Sequence, residues 1–153
     1  MSEELNDLQN QSFARATKVT LDSYPPGRRL TGEQLTSYLD RRSFAVIGSA
    51  RPDGRAHAVI SSYVRRGPVF WLPVVAGSIR ERNLRSRPWL TMTVTEGERD
   101  SHIVVLMEGP AEVLPPSGVP EDVRTAVAGD WVAAWFRFTP ARLLSYGEAG
   151  SLG

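Results

Sequence analysis

The sequence predicts a mainly β protein, in which six antiparallel strands form a small Greek-key β-barrel flanked by short helices. Apolar and polar residues alternate with a period of two in several segments, which is typical of half-buried strands. Turn sequences rich in glycine, proline and aspartate separate these segments, and two capping-box sequences mark short helices between them. Strands of this number normally close into a barrel, because closure removes exposed sheet edges.

The composition is that of one soluble domain. The chain has 153 residues, of which 41% are hydrophobic and 23% charged, and its formal net charge is +1. This charge gives no general attraction to nucleic acids or anionic membranes, so neither is an expected partner. The absence of cysteine excludes disulfides, thiolate chemistry and cysteine-based metal sites. Because no long apolar run occurs and the N-terminus lacks the form of a signal peptide, we expect a cytoplasmic protein.

We expect the chain to have three parts. Residues 1–30 form an N-terminal extension that is polar and partly flexible, and its pattern indicates no firm secondary structure. Residues 31–147 form the barrel domain, which begins with a helix over about 32–42 after the capping box Thr31–Gln34. Residues 148–153 form a short tail.

Alternation and turn signals place the strands. A Pro-Asp-Gly turn joins a first hairpin, and a bend is expected at Gly109-Pro110, where glycine and proline interrupt a long strand. A short helix is expected over about 121–128. The predicted strands cover 44–50, 55–64, 69–75, 89–95, 101–114 and 142–146, with one more over 134–138 in an aromatic-rich segment, 131–138, whose first residues fit a strand or a helix end.

The segment after the third strand predicts an anion site. Ser78–Glu81 has the S-x-x-E form of a capping box, so a helix begins near Ile79 and ends before Pro88. The free N–H groups and the positive dipole end of such a helix attract an anion. Four residues share one face of this helix at the spacing i, i+3, i+4, i+7, namely Arg80, Asn83, Leu84 and Arg87. The alternative interpretation is a short surface helix with solvated arginines.

The order of these elements, with their residues, resembles the FMN-binding split barrel of the pyridoxamine 5′-phosphate oxidase-like superfamily. The segment 44–57 resembles the opening hairpin of the family, and 70–71 lie in its third strand. The segment 77–84 is similar to the family's phosphate segment, commonly written Ser-Arg-Lys-x-x-Asn-Leu. The resemblance covers about residues 30–146 and implies a six-stranded split β-barrel with a cofactor between two subunits.

The resemblance gives roles to residues of the phosphate segment. Arg80 stands where the family has its phosphate-binding lysine, and the family's serine is retained at Ser78. Ile79 stands where an arginine is usual, and Val74–Ala76 are apolar where relatives often have hydroxyl groups. Both departures imply a weaker grip on a phosphate.

The resemblance also implies a wall for the flavin ring, made by residues of the second strand. His57 has an alternative interpretation as an exposed residue beside the turn. Trp71 and Trp131 are candidates for stacking, although tryptophans are more often core or interface residues. The expected cofactor-binding residues are His57, Val59, Ser61, Ser62, Trp71, Ser78, Arg80, Asn83, Leu84 and Arg87. The sequence indicates no metal-ligand cluster and no catalytic residue.

The expected function is hydride transfer to or from a small-molecule substrate by an FMN-dependent oxidoreductase, because the family most often carries FMN. F420 is the alternative cofactor, since Arg80, Arg82, Arg85 and Arg87 suit its longer acidic tail. A non-catalytic F420 or haem binder is a further alternative, and whether the protein catalyses turnover stays open. Binding of single-stranded nucleic acid through the same arginines is disfavoured by the near-neutral charge and the lack of an aromatic stripe.

A homodimer is also expected. The resemblance places the cofactor between two subunits. The aromatic-rich segment 131–138 has more apolar surface than one thin barrel is expected to bury.

Overall fold

The computed structural model describes residues 2–148, so the expected tail lies outside the described residues except for Glu148. Its α-helices are α1 (Ser2–Ala14), α2 (Lys18–Ser23), α3 (Gly32–Arg41), α4 (Ile79–Ser86) and α5 (Glu121–Ala126). Its strands are β1 (Phe44–Ala50), β2 (Ala56–Ser62), β3 (Val64–Arg66), β4 (Val69–Val75), β5 (Trp89–Glu96), β6 (Ile103–Leu114), β7 (Val132–Phe138) and β8 (Arg142–Gly147). None of the helices described here has the length and apolar character needed to cross a membrane.

The strands pair antiparallel throughout and form two sheets that share β6. One sheet has the order β2-β1-β5-β6-β8, and the other has the order β3-β4-β7-β6. Residues of β6 up to Pro110 pair with β5, whereas those from Ala111 pair with β7. A Cβ atom on Gly109 would lie 2.6 Å from backbone atoms of Thr139 and Ala141, so glycine lets the β7–β8 connection approach β6 at this point. The bend predicted at Gly109-Pro110 thus coincides with the point at which β6 passes from one sheet to the other, while β6 itself is continuous.

The predicted mainly β, antiparallel fold is confirmed, but residues 2–148 form eight strands rather than six. The strand expected over 55–64 ends at Ser62, and a separate strand β3 (Val64–Arg66) pairs with β4. Residues 65–68 were expected to be a turn, but the turn occupies only Gly67-Pro68. The segment 131–138 forms strand β7 from Val132 onward. Among the described residues, β2 pairs only with β1 and β3 pairs only with β4, so a gap separates the free edge of β2 from β4.

Two apolar clusters fill the molecule. The larger one occupies the space between the sheets and includes the fully buried Leu72, Met92 and Phe136. The smaller one lies against α5 and contains Trp71, Val119, Val123 and Trp135. The buried residues of α3, at Leu35, Tyr38 and Leu39, join the larger cluster at helical spacing.

The N-terminal extension differs from the expectation of a segment without firm structure. Helices α1 and α2 form there, and α1 buries Leu5 against the core. The amide of Gln9 donates to Leu30 C=O (2.8 Å) and accepts from the Ser145 hydroxyl, while the Ser12 hydroxyl accepts from Leu143 N–H (3.0 Å). The buried face of α1 is thus partly polar, and for this reason its hydrophobic periodicity is weak.

We predict that Gln9→Ala lowers the free energy of unfolding by about 1–3 kcal/mol. The substitution removes the Gln9 amide, so the buried Leu30 carbonyl loses its donor and the buried Ser145 hydroxyl loses its acceptor. Urea denaturation measures the effect, with Gln11→Ala as the control, because Gln11 is exposed on the same helix. Equal stability of the two variants would contradict the assignment of α1 to the folded core.

Candidate functional site

The free edge of β2 offers backbone groups to a ligand. The N–H of Tyr63 donates to Ser43 C=O (3.3 Å), which fixes the phase of hydrogen bonding between β1 and β2. Because paired and unpaired residues alternate along an antiparallel strand, the N–H and C=O groups of Ala58, Ile60 and Ser62 point away from β1. They face the gap between β2 and β4.

A cavity of about 520 Å³ lies at this gap. Its volume is within the usual range of small-molecule sites, about 300–1,000 Å³. Strands β2 and β4, the start of α4 and the residue before β7 contribute to its wall. The lining residues are Phe44, His57, Val59, Ile60, Ser61, Ser62, Pro73, Val75, Ser78, Ile79, Arg80 and Trp131.

Arg80 brings a buried positive charge to this cavity. The residue is only 7% exposed, and its guanidinium lies 5.8 Å from the centre of the Phe136 ring. The Nη2 group donates to Pro73 C=O (2.8 Å), but the buried Nη1 group has no hydrogen-bond partner among the described residues. No carboxylate of the described residues lines the cavity, and burial lowers the pKa of Arg80. A buried cation without a counterion is unfavourable, so an anion bound beside it would be stabilised.

The start of α4 adds hydrogen-bond donors beside Arg80. The Ser78 hydroxyl accepts from Glu81 N–H (3.3 Å), as predicted for the capping box. The Glu81 carboxylate was expected to accept from the Ser78 N–H, but it accepts from Gly77 N–H (2.9 Å), because Ser78 N–H donates to the Val75 carbonyl. The N–H groups of Ile79 and Arg80 have no acceptor among the described residues. They supply the positive end of an eight-residue helix.

The second strand places four predicted residues at the cavity. His57, Val59, Ser61 and Ser62 all line it, and the Ser61 hydroxyl donates to Ser62 C=O (2.9 Å). The Nδ1 atom of His57 is buried and has no hydrogen-bond partner among residues 2–148. With Ser78 and Arg80, six of the ten predicted residues therefore surround one cavity. Their part in cofactor binding stays a prediction.

The other four predicted residues do not line the cavity. Asn83 donates to the Ser49 hydroxyl (3.0 Å), and Arg87 donates to Pro52 C=O (3.0 Å). Leu84 packs in the larger core cluster, and Trp71 packs in the smaller one. Arg80, Asn83 and Leu84 lie on one buried face of α4, as predicted. Most of that face packs on the barrel, and only the first turn, at Arg80, reaches the cavity.

Sequence reasoning left out several lining residues. Trp131 was considered only as a stacking candidate. Five apolar lining residues were not among the predicted site residues, and two of them, Val75 and Ile79, were noted only as departures from the family pattern; the five are Phe44, Ile60, Pro73, Val75 and Ile79. Alternation assigns residues to the two faces of a strand, whereas this cavity lies along the edge of β2. The periodicity of the sequence does not indicate which edge of a strand is left unpaired. Within residues 2–148, no group of three or more histidine or acidic side chains is arranged to hold a metal ion.

Comparison with known proteins identifies the fold. The chain is similar to the Mycobacterium tuberculosis protein Rv2991 (TM-score 0.69, 18% identity, 81% of this chain and 89% of that one). It is also similar to a FAD-binding protein from Mesorhizobium loti (TM-score 0.59, 18% identity, 77% of this chain and 93% of that one). A third similar structure is the heme storage protein HutZ from Vibrio cholerae (TM-score 0.62, 13% identity, 80% of this chain and 99% of that one). No curated protein sequence matches the chain.

These likenesses confirm the predicted split-barrel fold. At identities below 25% they show the fold alone. The family assignment rests on the sequence model described as pyridoxamine 5′-phosphate oxidase, which matches residues 31–146, well over half of the chain. The chain therefore belongs to the pyridoxamine 5′-phosphate oxidase family.

Proposed function

We propose that this protein is an FMN-dependent oxidoreductase that transfers hydride to or from a small-molecule substrate. The observation that carries the proposal is the buried guanidinium of Arg80, which has no counterion in the described part of the chain and lines a largely apolar cavity. Members of this family commonly bind a flavin, and a FAD-binding protein shares the fold. We name no catalytic acid or base, because a flavin supplies the hydride chemistry itself.

The residues at the cavity fit a flavin. Its phosphate would be held by Arg80, by the Ser78 hydroxyl and by the free N–H groups at the start of α4. The side chains of His57 and Val59 would line its ring. The unpaired backbone groups of β2 would bind the polar edge of that ring, because they can both donate and accept hydrogen bonds.

F420 is the alternative cofactor, and it depends on the other arginines of α4. Arg85 pairs with Glu81 (3.2 Å), and Arg87 is bonded to the Pro52 carbonyl. Of these three, Arg82 is the one whose guanidinium has neither an ion pair nor a hydrogen bond among the described residues. Since two of the three arginines already have partners, fewer free guanidinium groups are available to bind an acidic tail than the spacing suggests. This observation favours FMN.

A non-catalytic haem binder is a second candidate function. The observation that favours it is His57, which lines the cavity and has an unpartnered ring nitrogen. Imidazole is a common axial ligand of haem iron. The heme storage protein HutZ has the same fold. An absorbance spectrum of the purified protein separates the candidates, since flavin, deazaflavin and haem absorb in different bands.

We also propose a homodimer, on grounds that differ from those of the sequence. Trp135, Phe136 and Phe138 are buried within one chain, so most of the aromatic segment 131–138 is not free to bind a partner. An apolar row crosses the outer face of the sheet instead, because paired residues on neighbouring strands share a face. The row consists of three apolar residues, Ile60 on β2, Val46 on β1 and Leu106 on β6, with Thr93 on β5 between the last two.

This row supports a second copy as the partner. Ile60 is 67% exposed and Val46 is 39% exposed. In the next row the small residues Ala58 and Gly48 lie beside Thr91, whose hydroxyl group covers Gly48. Ile60 also lines the cavity, so a subunit docked on this face would lie beside the ligand. A symmetric dimer of this kind is the commonest closed assembly.

We predict that Arg80→Ala weakens FMN binding by about 1.5–3 kcal/mol, roughly 10- to 150-fold, because it removes a charge-assisted hydrogen bond to the phosphate. Titration with FMN and with F420 measures both affinities. Arg82→Ala is the matched control, since Arg82 is exposed on the same helix and has no ion pair among the described residues.

Unchanged affinity of the Arg80 variant for both cofactors would contradict the anion site. Tight F420 binding together with FMN binding weaker than about 100 μM, a free energy near −5.5 kcal/mol, would reverse the order of the two cofactors.

We predict that Val46→Arg converts the protein from a dimer to a monomer at micromolar concentration. The substitution places a charge in the middle of the apolar row without altering a cavity residue. Light scattering should give twice the chain mass of 16.9 kDa for the unmodified protein and for Thr125→Arg, a control on the exposed surface of α5. A monomer mass for the unmodified protein would refute the dimer.

A further inference from the structure

Exposed apolar side chains concentrate at the mouth of the cavity. Eight large apolar residues are exposed in the described part of the chain, and five of them line this cavity. They are Phe44, Ile60, Val75, Ile79 and Trp131. A local concentration of this kind marks a binding surface, whereas scattered apolar residues do not. The mouth is therefore a second part of the site, distinct from the anion-binding end at Arg80.

The charges of the cavity restrict what the mouth can bind. Arg80 is the one permanently charged side chain among the lining residues, and no lining residue is acidic. If Arg80 binds the cofactor's phosphate, as the proposed function requires, no cation remains for a second anion. A second buried anion would then be uncompensated, and a bound cation would lack a carboxylate.

Trp131 gives the mouth a flat wall. Its indole is 46% exposed and lies directly over the backbone of Gly129, where a Cβ atom would be 2.6 Å from Trp131 Cδ1. The glycine therefore allows the ring to adopt this position. Aromatic rings contribute a large apolar contact area and favour stacking against other planar molecules.

We propose that the mouth, lined by Trp131, Phe44 and Ile79, is the substrate subsite and takes an uncharged, planar, mainly apolar molecule. This inference rests on the proposed function, because the cofactor must occupy Arg80. It gives the substrate class that the family assignment leaves open. It also distinguishes this chain from an enzyme that binds a phosphorylated substrate, for which a second cationic site would be needed.

Three ligands that share one ring system test the charge argument. Calorimetry measures the binding of 1-naphthol, 1-naphthoate and 1-naphthylmethylammonium to the FMN-loaded protein. We expect the neutral ligand to bind at least about tenfold more tightly than either charged one, a difference of about 1.4 kcal/mol. Equal or tighter binding of a charged ligand to the loaded protein would overturn the inference.

Variants test the place of binding. Trp131→Ala should weaken 1-naphthol binding about tenfold and leave the FMN affinity within about twofold. Gly129→Ala should also weaken 1-naphthol binding, because the new Cβ atom displaces the Trp131 ring without removing it. Trp89→Ala is the control, since Trp89 is 48% exposed but does not line the cavity. An unchanged naphthol affinity in Trp131→Ala, or an equal loss of FMN affinity, would overturn the subsite.

The flavin-free protein separates failure of this inference from failure of the proposed function. There Arg80 is available, so 1-naphthoate should bind, and FMN should displace it without displacing 1-naphthol. If FMN does not bind at all, the cofactor assignment is wrong. The mouth is then judged by the effect of Trp131→Ala on 1-naphthol binding to the flavin-free protein, and no effect refutes it.

Discussion

The buried, uncompensated charge of Arg80 is the constraint on which the site depends. A guanidinium held at 7% exposure with one unpartnered N–H group disfavours the ligand-free fold. The surrounding structure fixes it in place, through the Pro73 carbonyl on one side and the Phe136 ring on another. Local features that conflict with stability are typical of functional sites, where a ligand supplies the missing interaction. An anion in the cavity would supply it here.

The open barrel provides the space for such a ligand. Because β2 has no second neighbour among the described residues, its unpaired backbone groups border the cavity. An exposed strand edge is a risk for aggregation, and proteins normally cover or shorten it. In this chain the edge faces a ligand cavity, and the adjoining outer face is apolar. A bound cofactor and a second subunit would therefore cover the two surfaces that one chain leaves incomplete.

The sequence predicted the parts of the structure that depend on local patterns. The cap at Ser78 and the strand alternation of β1 and β5 depend on neighbouring residues, so they are visible in one segment at a time. Helix α1 was not predicted, because its buried polar residues are bonded to residues more than 20 positions away. Gln9 donates to the Leu30 carbonyl, and Ser12 accepts from Leu143 N–H in β8. Tertiary contacts stabilise this helix, and its own periodicity does not.

The same distinction explains the candidate site. Arg80 was predicted because a helix start and a charge at a fixed spacing indicate an anion site. The choice between Trp71 and Trp131 required the fold, since the sequence offered both as stacking candidates. Trp71 faces the smaller core under α5, whereas Trp131 stands at the cavity mouth. Spacing also joined Arg87 to the predicted site, although its guanidinium is bonded to the hairpin turn.

The most direct test of this account is the free energy of unfolding of Arg80→Met, measured by urea denaturation with and without FMN. Methionine fills similar space without charge, so we expect the ligand-free variant to be more stable by about 1 kcal/mol or more. We also expect FMN to stabilise the unmodified protein and to have little effect on the variant. A less stable ligand-free variant that FMN stabilises as strongly as the unmodified protein would contradict the account.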